Sequence, residues 1–214
     1  MTANTPFKRR ADKLGPRVAN ALKSRHFDAY YCSSKEEAVQ KALELIPPDA
    51  LVSWGGSSTL EETGLLHAVK ERFNVLDRDA AKTPQERAEL MRRALLCDVF
   101  LMSANAVSED GQLVNIDGNG NRVAALVYGP KSVIVVAGLN KVAKTLRDAE
   151  ERARTIAAPL NAQRFDGIQT PCGQTGSCAD CTAADSICAY LLTTRISRPA
   201  GKIKVILVGE PLGF

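Results

Sequence analysis

A chain of 214 residues, 45% hydrophobic and 24% charged, has enough apolar material for one substantial core and at most a small appendage. Its formal charge of +4, from 28 basic and 24 acidic residues, is not gathered into a basic stripe interleaved with aromatics, which argues against nucleic acid as a partner. The opening MTANTPFKRR lacks the apolar core of a signal peptide, and the longest apolar run, Val133 to Ala137, is too short to cross a bilayer. The expectation is a cytoplasmic protein without a membrane span.

Helix-period and strand-like segments alternate along most of the chain, the pattern of a mostly parallel sheet flanked by helices, so the fold class is α/β. Residues from about Pro6 to Arg25 read as helix, bent or divided at Gly15-Pro16. Phe27 to Cys32 is a short β-rich run. Ser33 with Glu36, or Ser34 with Glu37, then offers a capping box for a helix carrying Val39, Ala42, Leu43 and Ile46, which stops before Pro47-Pro48. Leu51 to Trp54 reads as a buried strand, and after Gly55 to Thr59 a helix places Leu66, Val69 and Phe73 on one face.

Asn74 to Asp77 suits a short strand, and Thr83-Pro84-Gln85-Glu86 combines a capping box with proline at the first helical position, starting a helix that runs to about Leu96. Asp98 to Ser103 reads as a strand. Glu109 to Gly120 reads as a turn-rich polar segment interrupted by the apolar pair Leu113-Val114. Ser132 to Ala137 is a central strand, and Val142, Leu146, Ala149, Ala153 and Ile156 step along one stripe of a long helix. A Gly- and Cys-rich stretch follows from about residue 166 to 188, and Lys202 to Gly209 supplies a last strand.

Six cysteines suggest a disulfide scaffold only in a small secreted chain. Cys32 and Cys97 lie alone in strand-like runs and read as small buried apolar residues. The other four, Cys172, Cys178, Cys181 and Cys188, fall within 17 residues. Set among Gly173, Gly176 and Ser177, they form a complete thiolate ligand set suited to a 4Fe-4S cluster or to zinc. Zinc ribbons usually present two Cys-x2-Cys knuckles. Here a single Cys-x2-Cys is flanked by lone cysteines at intermediate spacing, which favours the cluster over zinc, with unbound thiols or a disulfide as the remaining readings.

Two polar loops follow predicted strands, where α/β sheets gather ligands. Gly55, Gly56, Ser57, Ser58 and Thr59 stand between a strand and a helix, where backbone N–H groups suit carboxylate or phosphate; the plain alternative is a tight turn. Glu61 and Glu62 complement the helix dipole, or one of them faces the cleft as a base. In the second loop Asn105, Asn115, Asn119 and Asn121 could hold substrate hydroxyls and Arg122 clamp a carboxylate, while Glu109, Asp110 and Asp117 are candidate proton carriers. The bland reading is that Asn, Asp and Gly are ordinary turn formers. Lys141, just past a central strand, joins the candidate substrate contacts, whereas His26 and His67 read as surface or capping residues.

These loops and the cysteine segment together resemble the LUD (lactate-utilisation) domain family, from about Tyr30 to Phe214. The specific matches are Ser53-Trp54-Gly55-Gly56-Ser57-Ser58-Thr59, then Asn105 to Gly111 with Val114 to Ala124, and Val135-Val136-Ala137-Gly138-Leu139-Asn140-Lys141. The resemblance implies a body of the NagB/RpiA/CoA-transferase type and links the chain to oxidation of L-lactate to pyruvate beside Fe–S and oxidoreductase partners. It organises the chain as an N-terminal helical segment (1–26), an α/β domain (27–165) and a Cys-rich metal-binding segment with a final strand packing on the main domain (166–214). The expected partners are a small anionic substrate, other oxidoreductase subunits and a second copy of the chain. The alternatives are a non-redox isomerase, transferase or ligase-like enzyme with a structural metal, and a non-catalytic ligand-binding subunit.

Overall fold

Continuous apolar runs such as VFLM, SVIVVAG and IKVILV suit strands covered on both faces rather than strands with one face in water. In the computed structural model, which describes residues 5–214, six strands form one sheet. Their order is β1 (Asp28–Cys32), β10 (Ile203–Val208), β7 (Ser132–Gly138), β4 (Val99–Met102), β2 (Leu51–Trp54) and β3 (Asn74–Val75), numbered along the chain. Every neighbouring pair is parallel.

Alternation along the strands builds two cores, because successive side chains point to opposite faces. Phe100, Met102, Val133, Val135, Val205 and Leu207 face helix α1 (Pro6–Ser24) with its Leu14, Val18 and Leu22. Val99, Leu101, Ile134, Val136, Ile206 and Val208 face the other way, with Ala42 and Leu43 of α2 (Lys35–Glu44), Leu60 of α3 (Ser58–Glu62) and Val69 of α4 (Leu65–Arg72). Helix α1 runs through Pro16 without dividing. The Ser34 hydroxyl caps α2 by accepting from the Glu37 N–H, while Glu37 accepts from Ser33. Helix α5 (Pro84–Arg93) starts at the expected Thr83 cap and passes through a 3-10 turn over Ala94–Leu96.

A second, smaller sheet has the order β8 (Val142–Ala143), β5 (Ala106–Ser108), β6 (Leu113–Asp117), β9 (Tyr190–Thr194). Strand β6 is antiparallel to both β5 and β9. Two expectations change here, for the segment after Glu109 and for the helix from Val142. The turn-rich segment after Glu109 contains a five-residue strand buried along its whole length, because Asn115 and Asp117 occupy interior positions that composition alone assigns to turns. Asn121–Val127 is a helix, α6. The long helix expected from Val142 is divided: Val142 pairs in β8, α7 (Leu146–Arg152) follows, and a π turn over Ala153–Ala157 leads into α8 (Ala158–Ala162). Pro159 lies at that junction and lacks the N–H a regular helix would use there. Among the described residues no helix is long and apolar enough to cross a membrane.

Strand β10 lies between β1 and β7, so the sheet closes only when the end of the chain inserts. Ile206 is fully buried in it. Ile206→Ala should cost about 2–5 kcal/mol by urea unfolding; a loss below about 1 kcal/mol would mean that this side chain is not packed as described.

Candidate functional site

The carboxyl ends of β2, β4 and β7 open into a cleft of about 790 Å³, where a parallel sheet offers backbone and loop groups to a ligand. The loop after β2 contributes Gly56, Ser57, Ser58 and Thr59; the segment after β4, Ser103, Ala104 and Asn105; the turn after β7, Lys141. From the second sheet come Ile116 and Asp117, followed by Asn119, Asn121 and Arg122.

The Asp117 carboxylate fixes this wall. One oxygen accepts the Gly120 N–H at 3.0 Å, and the other accepts the Arg122 N–H at 3.2 Å and pairs with Arg122 Nε at 3.1 Å. Arg122 Nη2 donates to the Ile116 carbonyl at 2.5 Å. Its aliphatic stem crosses Gly55, where a Cβ would meet Arg122 Cγ at 2.4 Å; at Gly56 a Cβ would meet Arg78 Nη2 at 2.7 Å. The glycine pair thus admits two arginines over the loop. Helix α3 has only five residues and is capped by Ser57, so positive charge at this loop comes from these side chains.

Arg78 gives no signal in the sequence, where a lone arginine in LDRDAAK carries no motif. Asp79 holds the neighbourhood: it accepts from Trp54 Nε1 at 3.1 Å, pairs with Arg87 at 2.8 Å and lies 3.4 Å from Arg78 Nε. That Nε is buried without a hydrogen-bond partner. Burial lowers the Arg78 pKa, Asp79 opposes the shift, and Arg87 and Arg122 reinforce it. With Arg164 these make four guanidinium groups at the border of the cleft, beside Lys141, against the carboxylates of Asp117 and Asp185, a balance that favours an anionic ligand.

Lys141 is 4% exposed. Its Nζ donates to Thr59 Oγ1 at 2.8 Å, Ser103 Oγ at 3.0 Å and the Ala104 carbonyl at 3.2 Å. All three partners are uncharged. Burial first, then Arg152 and Arg122, bring its pKa down to about 7, with Glu62 opposing.

Most of the remaining sequence candidates lie away from the cleft. Glu109 and Asp110 occupy the turn between β5 and β6, remote in the hairpin from Asp117. Glu109 pairs with Lys144 at 2.8 Å and borders a separate basic cavity with Arg9, Arg10, Lys13 and Arg17. Asp110 accepts from Ser108 and pairs with Arg25 at 2.6 Å, and the Ser108 hydroxyl leads in lowering its pKa against the effect of burial. Asn115 is enclosed within β6, with neither end of its amide hydrogen-bonded. Asn105 borders the cleft while its side-chain oxygen accepts the Ile116 N–H at 2.9 Å. Glu62 is exposed and accepts the Gly213 N–H at 2.8 Å. His67 is exposed beside Glu71, and His26 is exposed just beyond the end of α1.

All six cysteines are free, and Cys32 and Cys97 are buried in the core. Cys172, in helix α9 (Pro171–Thr175), lines a cavity of about 250 Å³ together with Cys178, Cys181 and Cys188. Thr170 caps α9 and its hydroxyl lies 3.4 Å from Cys172 Sγ, while Gln163 donates to the Cys172 carbonyl at 2.9 Å. Burial and the three other thiols push the Cys188 thiol up to about 11. Among the described residues no three or more His, Cys, Asp or Glu side chains are grouped so as to hold a metal ion as they stand. Ile116, Ala158, Ser186 and Ile187 line both this cavity and the cleft.

The LUD domain model matches residues 16–208. The chain belongs to the LUD domain family. A DUF162 family protein from Deinococcus radiodurans is similar over 92% of this LUD protein and 98% of its own chain, at 14% identity and a TM-score of 0.52, which is a likeness of fold. About half of the chain also superposes on eIF2B delta from Chaetomium thermophilum (53% of this chain, 52% of that one, 21% identity, TM-score 0.34) and on ribose 5-phosphate isomerase A from Methanocaldococcus jannaschii (52%, 55%, 16% identity, TM-score 0.34). No curated protein matches the sequence.

The lowered Lys141 pKa has a thermodynamic consequence. As pH falls from 10.5 toward 7 the unfolded chain takes up a proton that the folded chain refuses, so stability from this group is complete above 10.5 and declines toward pH 7. Lys141→Met removes that titration. Its unfolding free energy between about pH 7 and 9 should rise less steeply than the wild type's, by up to about 1.4 kcal/mol per pH unit; equal slopes would contradict the assignment.

Proposed function

We propose that this LUD protein acts on a small hydroxy or keto acid, as an enzyme or as a component of one, and carries an iron–sulfur centre on Cys172, Cys178, Cys181 and Cys188. The observation that carries the reading is the wall of Ile116, Ala158, Ser186 and Ile187, which is common to the cleft and to the cavity of the four thiols. Soft thiolates suit iron–sulfur ligation. Their distribution around a cavity of about 250 Å³, rather than about one point, suits a polynuclear centre better than a single zinc ion.

Within the cleft Arg78 and Arg122 attract the carboxylate, and Arg122 is kept oriented by Asp117. Ser57, Ser58, Asn119 and Asn121 border the space where a substrate hydroxyl or carbonyl would lie. Lys141, close to neutral in its burial, exchanges a proton with that oxygen. A bound iron–sulfur centre supplies one-electron transfer, and oxidation of lactate to pyruvate releases two electrons and two protons. Those electrons would pass to an oxidoreductase partner subunit.

One observation favours a second reading. A cleft of about 790 Å³ with four arginines at its border exceeds the needs of a three-carbon acid, and suits a larger polyanion handled by a non-redox isomerase or transferase with the metal as a staple.

Anaerobically purified protein should contain about four irons and four sulfides per chain and absorb broadly in the visible. Cys178→Ser with Cys181→Ser should lose most of the iron. A colourless wild type with stoichiometric zinc and no sulfide would sink the iron–sulfur reading. Turnover of a sugar phosphate or acyl-CoA that survives both replacements would favour the second.

A further inference from the structure

We propose that Lys141 is the nucleophile of the cleft and condenses with the carbonyl of a 2-oxo acid to form an imine. The inference rests on the reading that the cleft takes a small keto acid, and adds to it a covalent step and the residue that performs it.

A primary amine enclosed at the end of a central strand is costly to keep charged unless a carboxylate answers it. Around Lys141 Nζ the structure instead supplies two hydroxyls and a carbonyl, Thr59 Oγ1, Ser103 Oγ and Ala104 O. These satisfy three N–H groups without neutralising a charge. The charged groups facing it from the surrounding elements are Arg152 at the end of α7, Arg122 in α6 and Glu62 in α3; the two arginines disfavour the ammonium and outrank or flank the single acid in their effect. The amine therefore sheds its proton at about pH 7, and a lone pair takes the place of one N–H.

The same nitrogen belongs to a side chain that borders the cleft beside Ser103 and Thr59, so the amine stands next to the space that an anionic carbonyl compound would enter. A surface lysine has neither condition: it is protonated at this pH and has no cationic cleft to concentrate an oxo acid.

The step balances without an oxidant. The lone pair attacks the carbonyl carbon, a C–N bond forms, and the carbonyl π pair moves to oxygen, which is protonated to a carbinolamine. Loss of that oxygen as water, together with the remaining nitrogen proton, leaves C=N, and hydrolysis reverses it. The Thr59 and Ser103 hydroxyls, hydrogen-bonded to one another at 3.3 Å, are placed to relay the proton.

Pyruvate with sodium cyanoborohydride tests this on the intact protein, alongside equilibrium dialysis of labelled pyruvate. One adduct per chain is expected, with the mass of pyruvic acid less one oxygen atom, on the peptide containing Lys141. Lys141→Arg should lose it. Between pH 6 and 8 trapping at Lys141 should rise only about tenfold as its amine becomes neutral, against about a hundredfold for free lysine treated alike. Pyruvate that binds but leaves no adduct, or adducts spread evenly over surface lysines, would overturn the inference and leave the cleft reading standing. Pyruvate that neither binds nor traps would overturn both.

Discussion

The site depends on a carboxylate–guanidinium pair held in one place from three directions. Asp117 accepts two backbone N–H groups from the turn that opens α6 and pairs with Arg122, and Arg122 returns a hydrogen bond to Ile116 of the same strand. Its stem passes over Gly55 at a distance no side chain there would allow. The contact joins the second sheet to the loop after β2, so the floor and one wall of the cleft are set together. A charge pair this enclosed is worth keeping only with its hydrogen bonds complete, and here the carboxylate makes them with the backbone of its own turn.

From that anchor β6 organises both cavities. Asp117 faces the cleft, and Ile116 lines the cleft and the thiol cavity alike. Strand β9, which follows Cys188 closely, pairs with β6 from Leu113↔Thr194 to Asp117↔Tyr190. The cysteine segment is thereby fastened to the strand whose Ile116 and Asp117 line the cleft. Gly118 continues the attachment: its Cα lies so close to the backbone of Ile187 that a Cβ would stand 3.2 Å away. Asp79 gathers Trp54, Arg78 and Arg87, and Arg78 lies over Gly56 next to the Gly55 that Arg122 covers, so further positive charge stands at the same loop.

Much of this was legible in the sequence, for identifiable reasons. The central strands β4, β7 and β10 of the main sheet are largely apolar runs, and the Ser34 and Thr83 caps hold their helices as the residue spacing requires. The grouping of four cysteines announced that they would share a space. Hidden were features that depend on distant partners. Strand β6 reads as a turn because Asn115 and Asp117 are polar, yet pairing with β5 and β9 buries it. Strand β9 has no strand next to it in sequence to pair with, and Val142 leaves the helical stripe because β5 captures it. Arg78 gains its place from Gly56 and Asp79. Glu109 and Asp110 share the acidic character of Asp117 but sit at the hairpin turn, where Lys144 and Arg25 pair with them; composition cannot say which end of a hairpin faces a cleft.

An acid bound in the cleft and the proposed centre on the four thiols would be neighbours across the wall that the two cavities have in common. Electron paramagnetic resonance of the anaerobically purified, reduced protein, recorded with and without saturating pyruvate or lactate, tests it directly. A reproducible change in the signal's g-values or relaxation is the predicted result, and it should disappear when Gly55→Ala displaces Arg122. A strong iron–sulfur signal that stays identical while the acid demonstrably occupies the cleft would contradict the claim.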